Sequence, residues 1–205
     1  MRPFIAAGLT IGILSPLATV LARQEIATAA SWETAGSVQA LWRGSEWITA
    51  IAAGLLYAHF LPRLGATAET NAFRRELHSA MRVVAVPSLL ALLVLWLLLP
   101  QVLALLYRAD MVVPRLEALP FLAGDALRIL SWVFLFGLYA RGAGRAVTLG
   151  EFLSLPLFVV LLLVLPPPAL LWQIGTCWLL AYASYAGFNA WMLRRELATP
   201  ATARR

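Results

Sequence analysis

The feature that most constrains this chain is the recurrence of apolar stretches about 20 residues long, separated by short polar links that carry most of the charge. About 20 helical residues, at roughly 1.5 Å each, cross the ~30 Å hydrocarbon core of a bilayer. Composition agrees. The chain is 61% hydrophobic and 13% charged, with a mean hydropathy of +0.81, whereas soluble domains are about half apolar and a quarter charged. The expected fold is therefore all-α, a polytopic membrane bundle of about six transmembrane helices with no soluble domain. Residues 1–197 form a single six-helix lobe and 198–205 a short cytoplasmic tail.

The expected spans are 3–22, 41–61, 83–106, 116–140, 148–165 and 169–193. The first is too long for a cleaved signal peptide and is followed by a second span, so it stays in the membrane. Residues 23–40 are polar enough to leave the bilayer. In the longest polar stretch, 62–82, Phe73, Leu77 and Met81 recur every four residues, with Arg74, Arg75, His78 and Arg82 on the other side. That spacing suits an amphipathic helix at the interface, and a solvated loop is equally compatible. Pro16, Pro87 and Pro156 fall inside spans and should bend them. Gly8 and Gly12, and Gly175, Ala181, Ala183, Ser184, Ala186 and Gly187 in the last span, are small enough for close helix packing. The one cysteine, Cys177, excludes an intrachain disulfide and reads as a small buried hydrophobe.

All sixteen basic residues are arginine, and they set an orientation. One side receives Arg2, Arg63, Arg74, Arg75, Arg82, Arg141, Arg145, Arg194, Arg195, Arg204 and Arg205. The other receives Arg23, Arg43, Arg108 and Arg115. By the positive-inside rule both termini are cytoplasmic, and membrane topology rather than nucleic acid accounts for the net charge of +6.

Four ionisable residues lie within spans: Arg43 and Glu46 in LWRGSEW, and Asp125 and Arg128 in AGDALRILSW. An unpaired charge at mid-bilayer costs roughly 2.5–3.5 kcal/mol, so these groups should point inward. Each pair is spaced i, i+3 on one helix face. Counted from the span starts, Glu46 and Asp125 lie roughly 9 and 14 Å deep at ~1.5 Å per residue, near enough to pair across helices, Arg43 with Asp125 or Glu46 with Arg128. Two readings follow. The pairs fix helix register, or the arginines line an aqueous cavity and take a phosphate-bearing anion, since guanidinium offers bidentate donors to phosphate oxygens. Glu151 reads as an interfacial acid favoured by a helix start, and His59 as interfacial packing.

SWETAGSVQALWRGSEW, the following LPRL, FLAGDALRILSW and the closing LRRE resemble the C-terminal half of Wzx-type O-antigen and enterobacterial common antigen flippases. These belong to the multidrug, oligosaccharidyl-lipid and polysaccharide exporter superfamily, and the likeness covers about residues 3–197. The resemblance implies one six-helix lobe of a twelve-helix carrier that moves undecaprenyl-pyrophosphate-linked oligosaccharide across the bacterial inner membrane. Its substrate-binding positions are Arg43, Glu46, Asp125 and Arg128. The partners implied are the lipid-linked oligosaccharide, membrane lipid, and a missing N-terminal lobe or a second copy. Met1 stands two residues before the first span, so the chain is expected to be truncated or split, with a homodimer as the other arrangement. A non-transporting assembly subunit touching a polysaccharide polymerase, or an inactive remnant, is the competing expectation. An enzyme is not expected, for the sequence shows neither a GxSG serine with a histidine nor a set of metal ligands, and neither cofactor nor metal is implied.

Overall fold

Proline placement decides where the helices of this protein break and where they only deform. The computed structural model describes residues 2–107, 113–165 and 170–198. Among these, the elements are α1 (Arg2–Ala29), α2 (Trp32–Leu55), a π-helical turn at Leu56–Phe60, α3 (Leu61–Ala66), α4 (Thr70–Ala80), a second π-helical turn at Met81–Ala85, and α5 (Val86–Leu97). There follow α6 (Leu99–Leu106), α7 (Arg115–Ala140), α8 (Gly144–Glu151), α9 (Leu155–Val164) and α10 (Leu171–Ala198). Each π turn directly precedes an X-Pro pair, Leu61-Pro62 and Val86-Pro87. Widening the turn before proline relieves the clash of its ring with the carbonyl four residues back, so the helix continues. Helix is therefore unbroken over Trp32–Ala66 and Thr70–Leu97.

At Pro156 the chain takes the other course. Residues 152–154 leave the helix, with Ser154 at φ −97° and ψ −119°, and α9 restarts with proline in its first turn. The Ser154 hydroxyl donates to the freed Glu151 carbonyl at 2.6 Å, so the break does not leave that acceptor bare. Pro16, by contrast, lies within a continuous α1.

The passes alternate in direction. Trp42 meets Phe121 and Trp178, and Gly124 meets Trp178, which makes α2, α7 and α10 parallel. Glu151 bonds Tyr185 while Phe158 packs on Trp178, so α8 and α9 run against α10. Arg63 meets Glu76 and Gly44 meets Leu95, so α4 and α5 run against α2 and α3. The starts of α2, α7 and α10 mark one end of the bundle. The other end holds the 67–69 and 141–143 links and the start of α1.

The core is built around α7 and α10. A Cβ on Gly175 would lie 2.9 Å from the Phe121 nitrogen, so glycine there sets how close the two backbones come. Trp178 is fully buried at the hub. It stacks on Phe121 at 4.9 Å and meets Trp42, Phe158 and Tyr182 edge-on at 4.6–5.0 Å. Such pairs contribute about 0.5–1.5 kcal/mol each beyond buried area, which matters where lipid removes the hydrophobic drive between helices. On the outside, Leu90, Leu93, Val94, Val160, Leu163 and Val164 are exposed. Among the described residues, four helical segments are long and apolar enough to cross a membrane: Trp32–Ala66, Thr70–Leu97, Arg115–Ala140 and Gly144–Val164. An all-α bundle of membrane-protein type is thus the fold.

Several expectations need revision. Residues 23–40 are mostly helical: α1 runs to Ala29, and α2 starts at Trp32 with Ser31 capping it, its hydroxyl accepting the Thr34 N–H at 3.0 Å. The 62–82 stretch is mostly helical and α4 continues into α5. Its apolar stripe faces the bundle, with Phe73 fully buried. Gly8, Gly12 and Gly187 stand in open space, whereas Gly175 packs as expected. His59 is exposed, with its Nε2 3.0 Å from Arg63. Cys177 is buried. Arg108, Arg204, Arg205 and the tail from 199 onward lie outside the described residues.

Candidate functional site

Positions 125, 128 and 132 share one face of α7 by the 3.6-residue period, and 178, 182, 185 and 189 share one face of α10. Parallel packing turns these two faces toward each other and encloses the polar residues between aromatic rings. Asp125 is fully buried. The Trp178 indole N–H donates to its Oδ1 at 3.3 Å, Ser45 of α2 sits beside it, and Oδ2 has no hydrogen-bond partner of good geometry among the described residues.

Arg128 lies one turn further along. Its Nη1 is 3.8 Å from Asp125 Oδ1, close enough to feel the charge and too far for a hydrogen bond. The guanidinium instead rests over rings, 4.8 Å from Trp132, 5.7 Å from Tyr182 and 5.9 Å from Trp178. Such cation–π contacts hold the cation while leaving its in-plane N–H groups free. Nη1 is buried without a hydrogen-bond partner among the described residues, while the side chain as a whole is 17% exposed, so the guanidinium is not completely enclosed. Glu46 acts on this charge from α2, and Glu151 is near enough to be affected by it.

The polar track continues toward the arginine-rich end. Tyr185 donates its hydroxyl to Glu151 Oε1 at 2.9 Å, and the Asn189 amide donates to the Ser131 hydroxyl at 3.4 Å. Tyr185, Ser131 and Asn189 are all fully or almost fully buried, and Asn189 Oδ1 has no partner among the described residues. Glu151, the last residue of α8, thereby joins this track.

The four residues singled out from the sequence do not form one cluster. Asp125 and Arg128 come together inside the bundle. Arg43 and Glu46 pair with each other at 2.6 Å on the outer side of α2, with side chains 63% and 46% exposed. The expected cross-helix pairs Arg43–Asp125 and Glu46–Arg128 are not formed, because neighbours at i, i+3 already lie within reach on each helix. Sequence reasoning missed Tyr182, Tyr185, Asn189 and Trp178. The i, i+4, i+7, i+11 spacing of tyrosines, tryptophan and asparagine on α10 was the signal that could have found them.

Compared with protein-family models, curated proteins and solved structures, the chain matches none.

Proposed function

We propose that this chain is a lobe of a lipid-linked oligosaccharide flippase, acting on an undecaprenyl-pyrophosphate carrier in the bacterial inner membrane. The observation that carries the proposal is the Arg128 guanidinium, held by aromatic faces inside the bundle with Nη1 unbonded among the described residues and its side chain still 17% exposed. A pyrophosphate oxygen suits such a donor. The break between α8 and α9 supports a transporter, because irregular backbone in a membrane-spanning segment is tolerated where it is buried in protein or lines a cavity.

The exposed pair Arg43–Glu46 lies on α2 near Trp47 and Ile51, which are 75% and 72% exposed. Charges at mid-helix are poorly matched to acyl chains. This face therefore meets a partner lobe, on another chain or a second copy, and Arg43 adds a second guanidinium to the shared site. In the described structure Arg2, Arg63, Arg74, Arg75, Arg82, Arg141, Arg145, Arg194 and Arg195 belong to one end, against Arg23, Arg43 and Arg115 at or toward the other. On this proposal the first end is cytoplasmic. The same α2 face also favours a second reading, a non-transporting subunit that docks on a polysaccharide polymerase.

Titrating the purified chain with undecaprenyl pyrophosphate and with undecaprenol, and following tryptophan fluorescence from Trp132 and Trp178, tests the proposal. Preference for the pyrophosphate, weakened roughly 10- to 100-fold in Arg128→Gln, is the expected result for one lost charged hydrogen bond. Equal binding of the two lipids, or an unchanged Arg128→Gln, overturns it.

A further inference from the structure

The outward face of α2 carries a pattern that fits one kind of partner better than others. Arg43, Trp47, Ala50, Gly54 and Tyr57 are all exposed, and they recur at alternating steps of four and three residues along α2 and the π turn after it. An average step of about 3.5 residues keeps one seam of a helix against a second helix running alongside. In the middle of the seam the side chains are small. A Cβ on Gly54 would meet nothing within 4 Å among the described residues, so this chain's own packing does not require the glycine, although glycine inside a helix costs stability. An Ala-x-x-x-Gly step of this kind lets another helix backbone come close. Gly8 and Gly12 on α1, and Ala183 and Gly187 on α10, are also exposed, but no charged residue lies within 3–22 or 171–193. The α2 seam differs by its ion pair, Arg43 at its start and Glu46 beside it, 2.6 Å apart.

We infer that this seam joins two copies of the chain side by side, α2 against α2, about a two-fold axis along the membrane normal. Charge complementarity selects a second copy as the partner. A two-fold contact brings the same patch to itself, so the patch must complement itself. Copies inserted in the same orientation run parallel, and Arg43 of one lies a turn, about 4.5 Å along the axis, from the level of the other's Glu46. Four charges, two of each sign, then meet at the axis. Each guanidinium has a carboxylate within reach on both chains, away from acyl chains that solvate charge poorly. A partner of different sequence would have to bring its own matched pair at the same depth. The inference rests on the reading of this face as a partner surface, and it is independent of the cargo proposed at Arg128.

Cysteine cross-linking in proteoliposomes tests it. With Cys177→Ala as background, Gly54→Cys should form a disulfide-linked dimer in high yield on mild oxidation, and Gly187→Cys, on the open face of α10, should not. Arg43→Glu and Glu46→Arg, each added alone to Gly54→Cys, place like charges at the axis and should each lower the yield roughly tenfold or more. Reconstituted together with a different tag on each, the two charge variants complement one another and should give the cross-linked heterodimer at close to the parental yield; a role for the pair within one chain gives no such rescue. Absence of a dimer at 54, equal yields at 54 and 187, or no rescue in the mixture overturns the inference. In any of those cases a retained preference of the chain for undecaprenyl pyrophosphate leaves the proposed cargo standing, so the two failures are distinct.

Discussion

Removing the Asp125 carboxylate tests how the bundle tolerates a charge in its core. In Asp125→Ala the Arg128 guanidinium loses its nearest anion and the Trp178 indole N–H loses its acceptor. Breaking a buried ion pair from one side costs about 3–5 kcal/mol, and the 17% exposure of Arg128 places this case near the lower figure. At about 2–4 °C per kcal/mol for a chain of this size, a loss of ~3 kcal/mol lowers the melting temperature by roughly 6–12 °C. The protein carries its own probe. Cys177 is the lone cysteine and is 3% exposed, so a thiol-reactive fluorogenic maleimide labels it only as the bundle opens. Replacing both partners, Asp125→Leu with Arg128→Met, removes the uncompensated charge and should restore stability to within about 2 kcal/mol of the parent. A single variant that melts within 2 °C of the parent, or a double variant as unstable as the single one, refutes the reasoning.

Two further substitutions probe the packing and the second half of the polar track. Gly175→Ala drives a methyl into the Phe121 backbone nitrogen at 2.9 Å and should cost about 1–3 kcal/mol, whereas Gly187→Ala meets open space and should be neutral or stabilise by up to about 1 kcal/mol; maleimide melts of the two should shift in different directions or by clearly different amounts. Tyr185→Phe leaves Glu151 without its hydroxyl donor and should cost about 1–3 kcal/mol by the same assay, with no change in the Asp125→Ala effect if the two ends of the track are independent.

What the sequence made legible follows from what each signal measures. Hydropathy reports an average over a span, so the all-helical bundle and the interior placement of Asp125, Arg128 and Cys177 could be read directly. It cannot report which face a charge takes, and Arg43 and Glu46 were therefore expected inside the bundle, whereas they pair with each other on the exposed side of α2. Proline announces a disturbance without its form. Pro62 and Pro87 are absorbed by π turns, but Pro156 ends α8, with Ser154 available to take up the freed carbonyl.

Buried polar groups in a membrane bundle stay only where they pair with one another or serve something that enters. Along the α7–α10 seam, pairing is incomplete on both signs: Asp125 Oδ2 and Asn189 Oδ1 lack donors while Arg128 Nη1 lacks an acceptor, all among the described residues. Closing the 3.8 Å between Arg128 Nη1 and Asp125 Oδ1 to hydrogen-bonding distance would satisfy Nη1 and still leave Oδ2 bare. Three aromatic rings hold the guanidinium away from that solution instead. On the proposed function, a donor kept available beside an acid that does not capture it is suited to an anionic ligand, with Trp132, Trp178 and Tyr182 holding the guanidinium in place.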